Sequence, residues 1–448
     1  MKYNDFKIRF LKPYINQEGN EIFPISVESP AGNDQGELTI PFSADEMKEQ
    51  LISSGLVTRS ASPEHAHIDV KEMGSAMHNL GQQLFLALFQ SNNIRELYLK
   101  NISMIQEHRD SGMRIKLCIN PEYHELAMLM NLPWEYMLDP FEKRDFLGLF
   151  ETLPVVRYLD LKRPAGPIKI EKLPLKILVM ISSPHDYPAL NVAEEKRLLS
   201  EAFADRNEIQ VDFLEKATLL ELRERLSDGS HHIFHYMGHG AFDRATGKGM
   251  LVLEDEEGNG VLVAGEKLKR VFRDSSIGVV FLNACETARI SAEKDPFAGI
   301  ASSLMIENVL AVVAMQFPIS DQSAIVFSKK FYTSLAQGKP IDQAVSRSRQ
   351  AIDLSAYETL EWGIPVLFMR SEDGIIFDLK EEAQERPIAE ELSPAKQKAG
   401  QKEVKAESNN SRGAVIHEEQ PVFSFCKRCG TKLIPAAKFC LKCGAPIT

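Results

Sequence analysis

The sequence predicts an α/β protein built on a mostly parallel sheet flanked by helices, and two observations carry that prediction. From about Pro167 onward, short apolar runs alternate with amphipathic stretches of helical length: KILVMISS, AEEKRLLSEAF, IQVDFLE, then TLLELRERLSDG. Repeated strand–helix units favour parallel pairing, with a helix crossing back each time. The second observation is a pair of runs, HHIFHYMGHG and SSIGVVFLNACETAR, that stay apolar until they break into small or polar residues at their C-terminal ends. Buried parallel strands have this pattern. In open α/β sheets, sites form beyond the carboxyl ends of such strands.

The elements follow in order. Near the N-terminus, FKIRF, IFPISVES and GELTIPFS are separated by the turn-rich NQEGNE and SPAGNDQG, which predicts three strands. Lys71 to Phe89 and Ile94 to Leu99 carry apolar residues at helical spacing, and RIKLCIN is a strand in which Cys118 is a core residue. In NLPWEYMLDP, Trp134 is an aromatic packing anchor. Glu135 and Asp139 invite an acid–base reading, but nothing around them marks a tuned pair. Thr218 and Glu221 form a capping-box pattern. Asp295 and Pro296 open a helix, VLAVVAMQF is a buried strand, Ser320 opens a helix that Gly338 ends, Pro340 opens another, and PVLFMR is the last strand.

Composition narrows the functional classes. A chain of 448 residues with 44% hydrophobic content can build two or three cores, and a net charge of −11 repels nucleic acid in bulk. MKYNDFKIRF lacks the apolar core of a signal peptide, and the most apolar window, Val309 to Pro318, is too short to span a membrane. Of six cysteines, four cluster at the C-terminus while Cys118 and Cys285 stand alone, which fits a reducing cytoplasm and no disulfide framework.

The chemistry gathers at the two strand ends. His239 precedes Cys285 at roughly the spacing of 50 residues expected for caspases, although ACE stands at the cysteine. A cysteine nucleophile needs an imidazole to favour its thiolate and to protonate the leaving amine. Glycines on either side of His239 permit close backbone approach, and the amides of Gly240 and Cys285 can form an oxyanion hole. The rival reading of His231, His235 and His239 as metal ligands on one strand face lacks an accompanying carboxylate or Cys motif. The GKG at Gly247 to Gly249 lacks the remaining residues of a phosphate loop.

GHGAFD, LEDEEGNGVLVAGEKL, FLNACETA, AVVAMQFPISDQSA, FYTSLAQGKPIDQAVSRSRQAI and WGIPVLF occur in the order seen in CHAT domains, and the chain resembles that family from about Leu84 to Phe368. NLPWEYMLDP and LPVVRYLDL are similar to the family's first half. The resemblance implies a caspase–haemoglobinase fold, a His239–Cys285 dyad, hydrolysis of peptide bonds in protein substrates, a regulating protein partner and a bacterial source. The alternative is a catalytically silent interaction scaffold.

After Lys380 the chain is mixed-charge and poor in aliphatics, as a flexible tether would be. It ends in FCKRCGTKLIPAAKFCLKCG, two CxxCG knuckles ten residues apart. Four soft thiolates in such pairs, Cys426, Cys429, Cys440 and Cys443, select one structural zinc ion (Zn2+) and leave no open position for catalysis. The segment resembles a short zinc ribbon and would serve as an adaptor. Lys427, Arg428, Lys432, Lys438 and Lys442 give a weaker nucleic-acid option. The expected organisation is a β-rich accessory segment (1–70), the two halves of the CHAT domain (71–165 and 166–379), a linker (380–421) and the ribbon (422–448).

Overall fold

The computed structural model describes residues 1–56, 70–108, 110–141, 145–161, 166–243, 248–285, 296–355 and 359–379. The chain divides into two units, Met1–Arg386 and Pro387–Thr448, and every described residue belongs to the first. The expected tether and zinc ribbon lie outside the described residues.

The N-terminal runs form β1 (Lys2–Phe10), a two-residue β2 (Tyr14–Ile15), β3 (Glu21–Ser29) and β4 (Gly32–Leu38). A helix that the sequence reading passed over follows, α1 (Ala44–Ser53), closed by a reciprocal capping box between Ser43 and Glu46. Next come α2 (Val70–Leu88), α3 (Asn92–Gln106) and β5 (Ser111–Ile119). β1 runs parallel to β5 from Lys2↔Ser111 to Arg9↔Cys118, so the N-terminal strands continue the main sheet. Their apolar faces require this. Phe6, Ile8 and Phe10 are buried in the same core as Phe85 of α2, Phe89 in the turn after it and Tyr98 of α3.

A short α4 (Ala127–Met130) leads to β6 (Val155–Leu159) and β7 (Ile168–Ile170). The regular alternation then begins: β8 (Leu175–Ile181), α5 (Val192–Phe203), β9 (Ile209–Phe213), α6 (Leu219–Leu226) and β10 (Ile233–Asp243). Thr218 caps α6 by accepting from Glu221 N at 3.2 Å. A hairpin, β11 (Lys248–Glu254) and β12 (Gly260–Ala264), precedes α7 (Gly265–Phe272) and β13 (Val279–Cys285). The rest is α8 (Pro296–Ile306), β14 (Ala311–Met315), α9 (Asp321–Ala336), α10 (Ile341–Ser355), β15 (Pro365–Met369) and β16 (Phe377–Leu379).

The sheet runs β12-β11-β10-β13-β14-β15-β6-β5-β1-β3-β2, with β8 also beside β10 and β9 beyond β8. Its centre is parallel, with one exception. β15 runs antiparallel to β14 although the strand–helix alternation suggested a parallel partner. The reason is that two helices, α9 and α10, join them. A single crossover helix returns the chain to the edge from which a strand started, whereas a helix pair brings it back to the opposite edge.

The first half of the domain carries a buried charge cluster. Glu135 Oε1 pairs with Arg157 Nη1 and lies 3.5 Å from Arg349 Nη2, all three side chains being at most 1% exposed. Arg157 also donates to Met130 O at 3.0 Å and Leu132 O at 2.7 Å, and Arg349 donates to Pro365 O at 2.7 Å. These bonds tie the NLPWEY segment to β6, α10 and the start of β15. Among the described residues no helix is long and apolar enough to cross a membrane.

Candidate active site

β10 and β13 are adjacent and parallel, and their register runs from Ile233↔Val279 to His239↔Cys285. The two residues singled out from sequence therefore face each other across neighbouring strands, at a separation of about 4.8 Å in the backbone. Cys285 is the last residue of β13. Gly240 follows His239 and pairs with Leu251 on β11.

The other flank of β10 changes partner at this point. β8 accompanies it from Ile233 to Met237, and β11 takes over, antiparallel, from His239. Gly238 lies in between. A Cβ there would sit 2.3 Å from the Tyr236 hydroxyl, so only glycine leaves that hydroxyl its place. Tyr236 Oη lies 2.7 Å from Val252 O and 3.1 Å from His239 O, holding the histidine's own carbonyl against β11. Burial pushes the Tyr236 hydroxyl far above its ordinary titration range, so it remains a donor.

The loop after β8 covers His239. Its imidazole is 1% exposed, Tyr187 stacks on it with centroids 5.5 Å apart, and its Nε2 lies 2.9 Å from Pro188 O. A carbonyl only accepts, so this contact assigns the proton to Nε2 and leaves Nδ1 as the basic nitrogen of the neutral ring. The loop is itself pinned to the β11–β12 hairpin. Ser183 N donates to Glu254 Oε1 (2.7 Å), His185 N to Gly258 O (2.9 Å) and Gly260 N to Asp186 Oδ1 (2.7 Å). Gly260 is needed because any Cβ would come within 2.4 Å of the Tyr187 ring. Tyr187, Pro188 and Tyr236 were not read from the sequence. The signal for the first two was the turn-rich SPHDYPALN directly after a strand.

The competing sites dissolve in the geometry. His231 bonds Asp212 at 3.0 Å and Ser230 at 3.2 Å, His232 accepts from Lys176 N at 3.1 Å, and His235 meets Tyr332 at 3.0 Å. They do not converge with His239, and no cluster of metal-ligating side chains occurs among the described residues. Cys118 is buried, and that burial pushes its thiol up to about 12, as suits an inert core residue. Glu135 belongs to the arginine cluster, while Asp139 accepts from Tyr98 at 3.2 Å and from Phe141 N at 2.9 Å.

His235 supplies a pH prediction. Burial pushes its titration down to about 3 from the ordinary 6.5, so the native imidazole is neutral. Below pH 6.5 the unfolded chain binds a proton that the native state refuses, and stability falls as pH drops toward 3. By pH 5 this residue alone should cost about 2 kcal/mol relative to pH 8. Urea unfolding of His235→Gln should show that much less acid sensitivity than wild type. Equal sensitivity would remove His235 as the cause.

A parallel α/β sheet with a histidine and a cysteine paired where the parallel pairing of two adjacent strands ends defines the class: a caspase-like α/β protein. The CHAT domain family model matches residues 78–388, more than half of the sequence, and the chain belongs to that family. A zinc-ribbon domain model matches residues 425–447. A comparison with curated proteins finds no match. Among solved structures, two crystal structures of the Saccharomyces cerevisiae separase–securin complex are similar to this chain. The first is 13% identical with a TM-score of 0.47, over 84% of this chain. The second is 12% identical with a TM-score of 0.46, over 82% of this chain. The chain spans 30% of the length of the separase that it matches.

Proposed function

We propose that this protein is a cysteine endopeptidase acting on protein substrates through His239 and Cys285. The observation that carries the reading is the His239↔Cys285 register, the last pair in the parallel pairing of β10 with β13. In this mechanism His239 Nδ1 takes the proton of the Cys285 thiol, the thiolate so formed attacks the scissile carbonyl, and the amides of Gly240 and Cys285 hold the oxyanion. His239 gives a proton to the departing amine, and a thioester acyl-enzyme forms. Water, deprotonated by the same imidazole, then releases the acid and the free thiol. Pro188 O orients the ring, so that Nδ1 handles the proton while Nε2–H stays bonded. The test is cleavage of a peptide library by the wild type and by Cys285→Ala, with loss of cleavage expected in the variant.

One observation favours a second reading, a silent scaffold: His239 is covered by Tyr187 and is only 1% exposed. The same covering suits an enzyme that waits for a regulatory partner to displace the loop after β8. Tyr187→Ala separates the two. It should raise the cleavage rate of a waiting enzyme and leave a scaffold inert.

In the C-terminal module, Cys426, Cys429, Cys440 and Cys443 hold one structural zinc, since four thiolates in CxxC pairs match tetrahedral zinc chemistry. Metal analysis of the reduced protein should find about one equivalent, strongly lowered by Cys426→Ser with Cys440→Ser. Zinc-free wild type would contradict this. The ribbon serves as an adaptor for a protein partner, in a cytoplasmic setting.

A further inference from the structure

β12 ends the sheet, and among the described residues β11 is the strand paired with it. The sheet's other end strands are blunted. β2 is two residues long, β4 carries Asp34 and Glu37, and β9 carries Asp212, which is bonded to His231. β12 has none of these protections, although its first residue is held by the loop after β8, Gly260 N donating to Asp186 Oδ1 at 2.7 Å. Its sequence, GVLVA, contains no charge and no proline, and it leaves Val261 36% and Leu262 51% exposed. An uncharged apolar edge of this kind is a template for another strand.

The surroundings say which strand fits. The tight turn entering β12 is acidic, with Asp255, Glu256 and Glu257; it is fixed by Glu257 N and Asn259 N donating to Asp255 Oδ1 at 3.0 and 2.7 Å. The helix leaving β12 is basic on balance: Lys267 and Arg270 are exposed, and the exposed Glu266 is met by Lys269 at 3.9 Å. Among the described residues, Glu257, Lys267 and Arg270 make no ion pair within the chain. One end of this edge is therefore negative and the other positive. A parallel neighbour with the same sequence would set acid against acid. An antiparallel neighbour would set each acidic turn beside the other's basic helix, which is what a two-fold axis through Leu262 produces.

We propose that β12 pairs antiparallel with β12 of a second copy of this chain, joining two sheets edge to edge across a two-fold axis. Val261 and Leu262 are covered at the centre, and Glu257 of each copy meets Lys267 of the other. The interface borders the hairpin that holds Asp186 and Tyr187, so each copy braces the loop over its own His239. The inference does not depend on catalysis.

Sedimentation velocity of the full chain over a wide concentration range tests it. The expected result is a monomer–dimer equilibrium that Leu262→Lys weakens by about tenfold or more in dissociation constant. Because Leu262 is exposed, that variant should keep the wild-type circular dichroism. Glu257→Lys and Lys267→Glu should each weaken the dimer, and the two together should restore it, since the charges cross between copies. A monomer at every concentration overturns the proposal, as does a dimer indifferent to Leu262→Lys. A double variant no stronger than either single one overturns the antiparallel register. A monomer whose β12 amides resist hydrogen exchange would assign the edge to another segment of the same chain, and equally overturns it.

Discussion

Replacing Glu135 by Ala is expected to lower the unfolding free energy by about 3–5 kcal/mol, among the largest losses available to a single change in this fold. Its carboxylate sits between Arg157 and Arg349, and all three side chains are essentially out of water. Removing it leaves two guanidinium groups buried with carbonyl partners and no counter-charge. Even with Glu135 beside it, Arg349 is pushed down to about 10, chiefly by burial, and Glu135 is the main opposing influence. Chemical unfolding gives the number directly. A loss near 1 kcal/mol, the scale of a surface pair, would mean that water reaches the cluster in solution. The converse experiment sharpens the point. Replacing the whole triad, Glu135→Leu with Arg157→Met and Arg349→Met, should recover part of the loss, because a buried ionic triad costs desolvation that an apolar replacement avoids.

The second large effect is on turnover. His239→Ala is expected to reduce peptide hydrolysis by about 10²–10⁴-fold, the usual share of a positioned acid–base group. Its thermal unfolding should change far less than its rate, since the loss of acid–base chemistry acts on the rate alone. Alkylation of Cys285 in this variant should slow by a smaller factor than hydrolysis. Protonating a leaving amine demands the imidazole, whereas a thiolate forms to some extent without it. Hydrolysis at the wild-type rate in His239→Ala would remove the imidazole from the mechanism.

Much of this arrangement was legible in the sequence because local signals and tertiary outcome agree. Buried strands such as KILVMI and VVFLNAC are apolar on both faces, as parallel strands must be, and Thr218 and Ser320 cap helices in the manner their side chains suggest. The pairing of His239 with Cys285 followed from two similar apolar strands, although β10 does not end at His239 as its glycines suggested but runs on to Asp243 against β11. The missing parts are those in which distant chain segments decide. Glu135 gives no local hint of Arg157 and Arg349, which reach it from β6 and α10. The reversal of β15 depends on counting helices between strands, and each helix by itself looks like an ordinary crossover. The β11–β12 hairpin stood in LEDEEGNGVLVAGEKL, with EDEEGN as its turn, but that stretch was read as a family motif instead of as two strands. α1 carries an S-x-x-E box at Ser43 and Glu46, a helix-start signal inside a stretch whose other signals are strands and turns. Tyr187 and Pro188 had no signal beyond their position after a strand, since what makes them part of the site is the ring and the nitrogen they cover.

Whether Cys285 is a peptidase nucleophile served by His239 is decided by mapping cleavage sites. Full-length wild type and Cys285→Ala are incubated with the same peptide library, and every newly formed amino terminus is identified by mass spectrometry. The account predicts a set of cuts sharing one residue preference in the wild type and none of them in Cys285→Ala, because no neighbouring group can replace an acylated thiol. The same cuts at comparable rates in Cys285→Ala would contradict it.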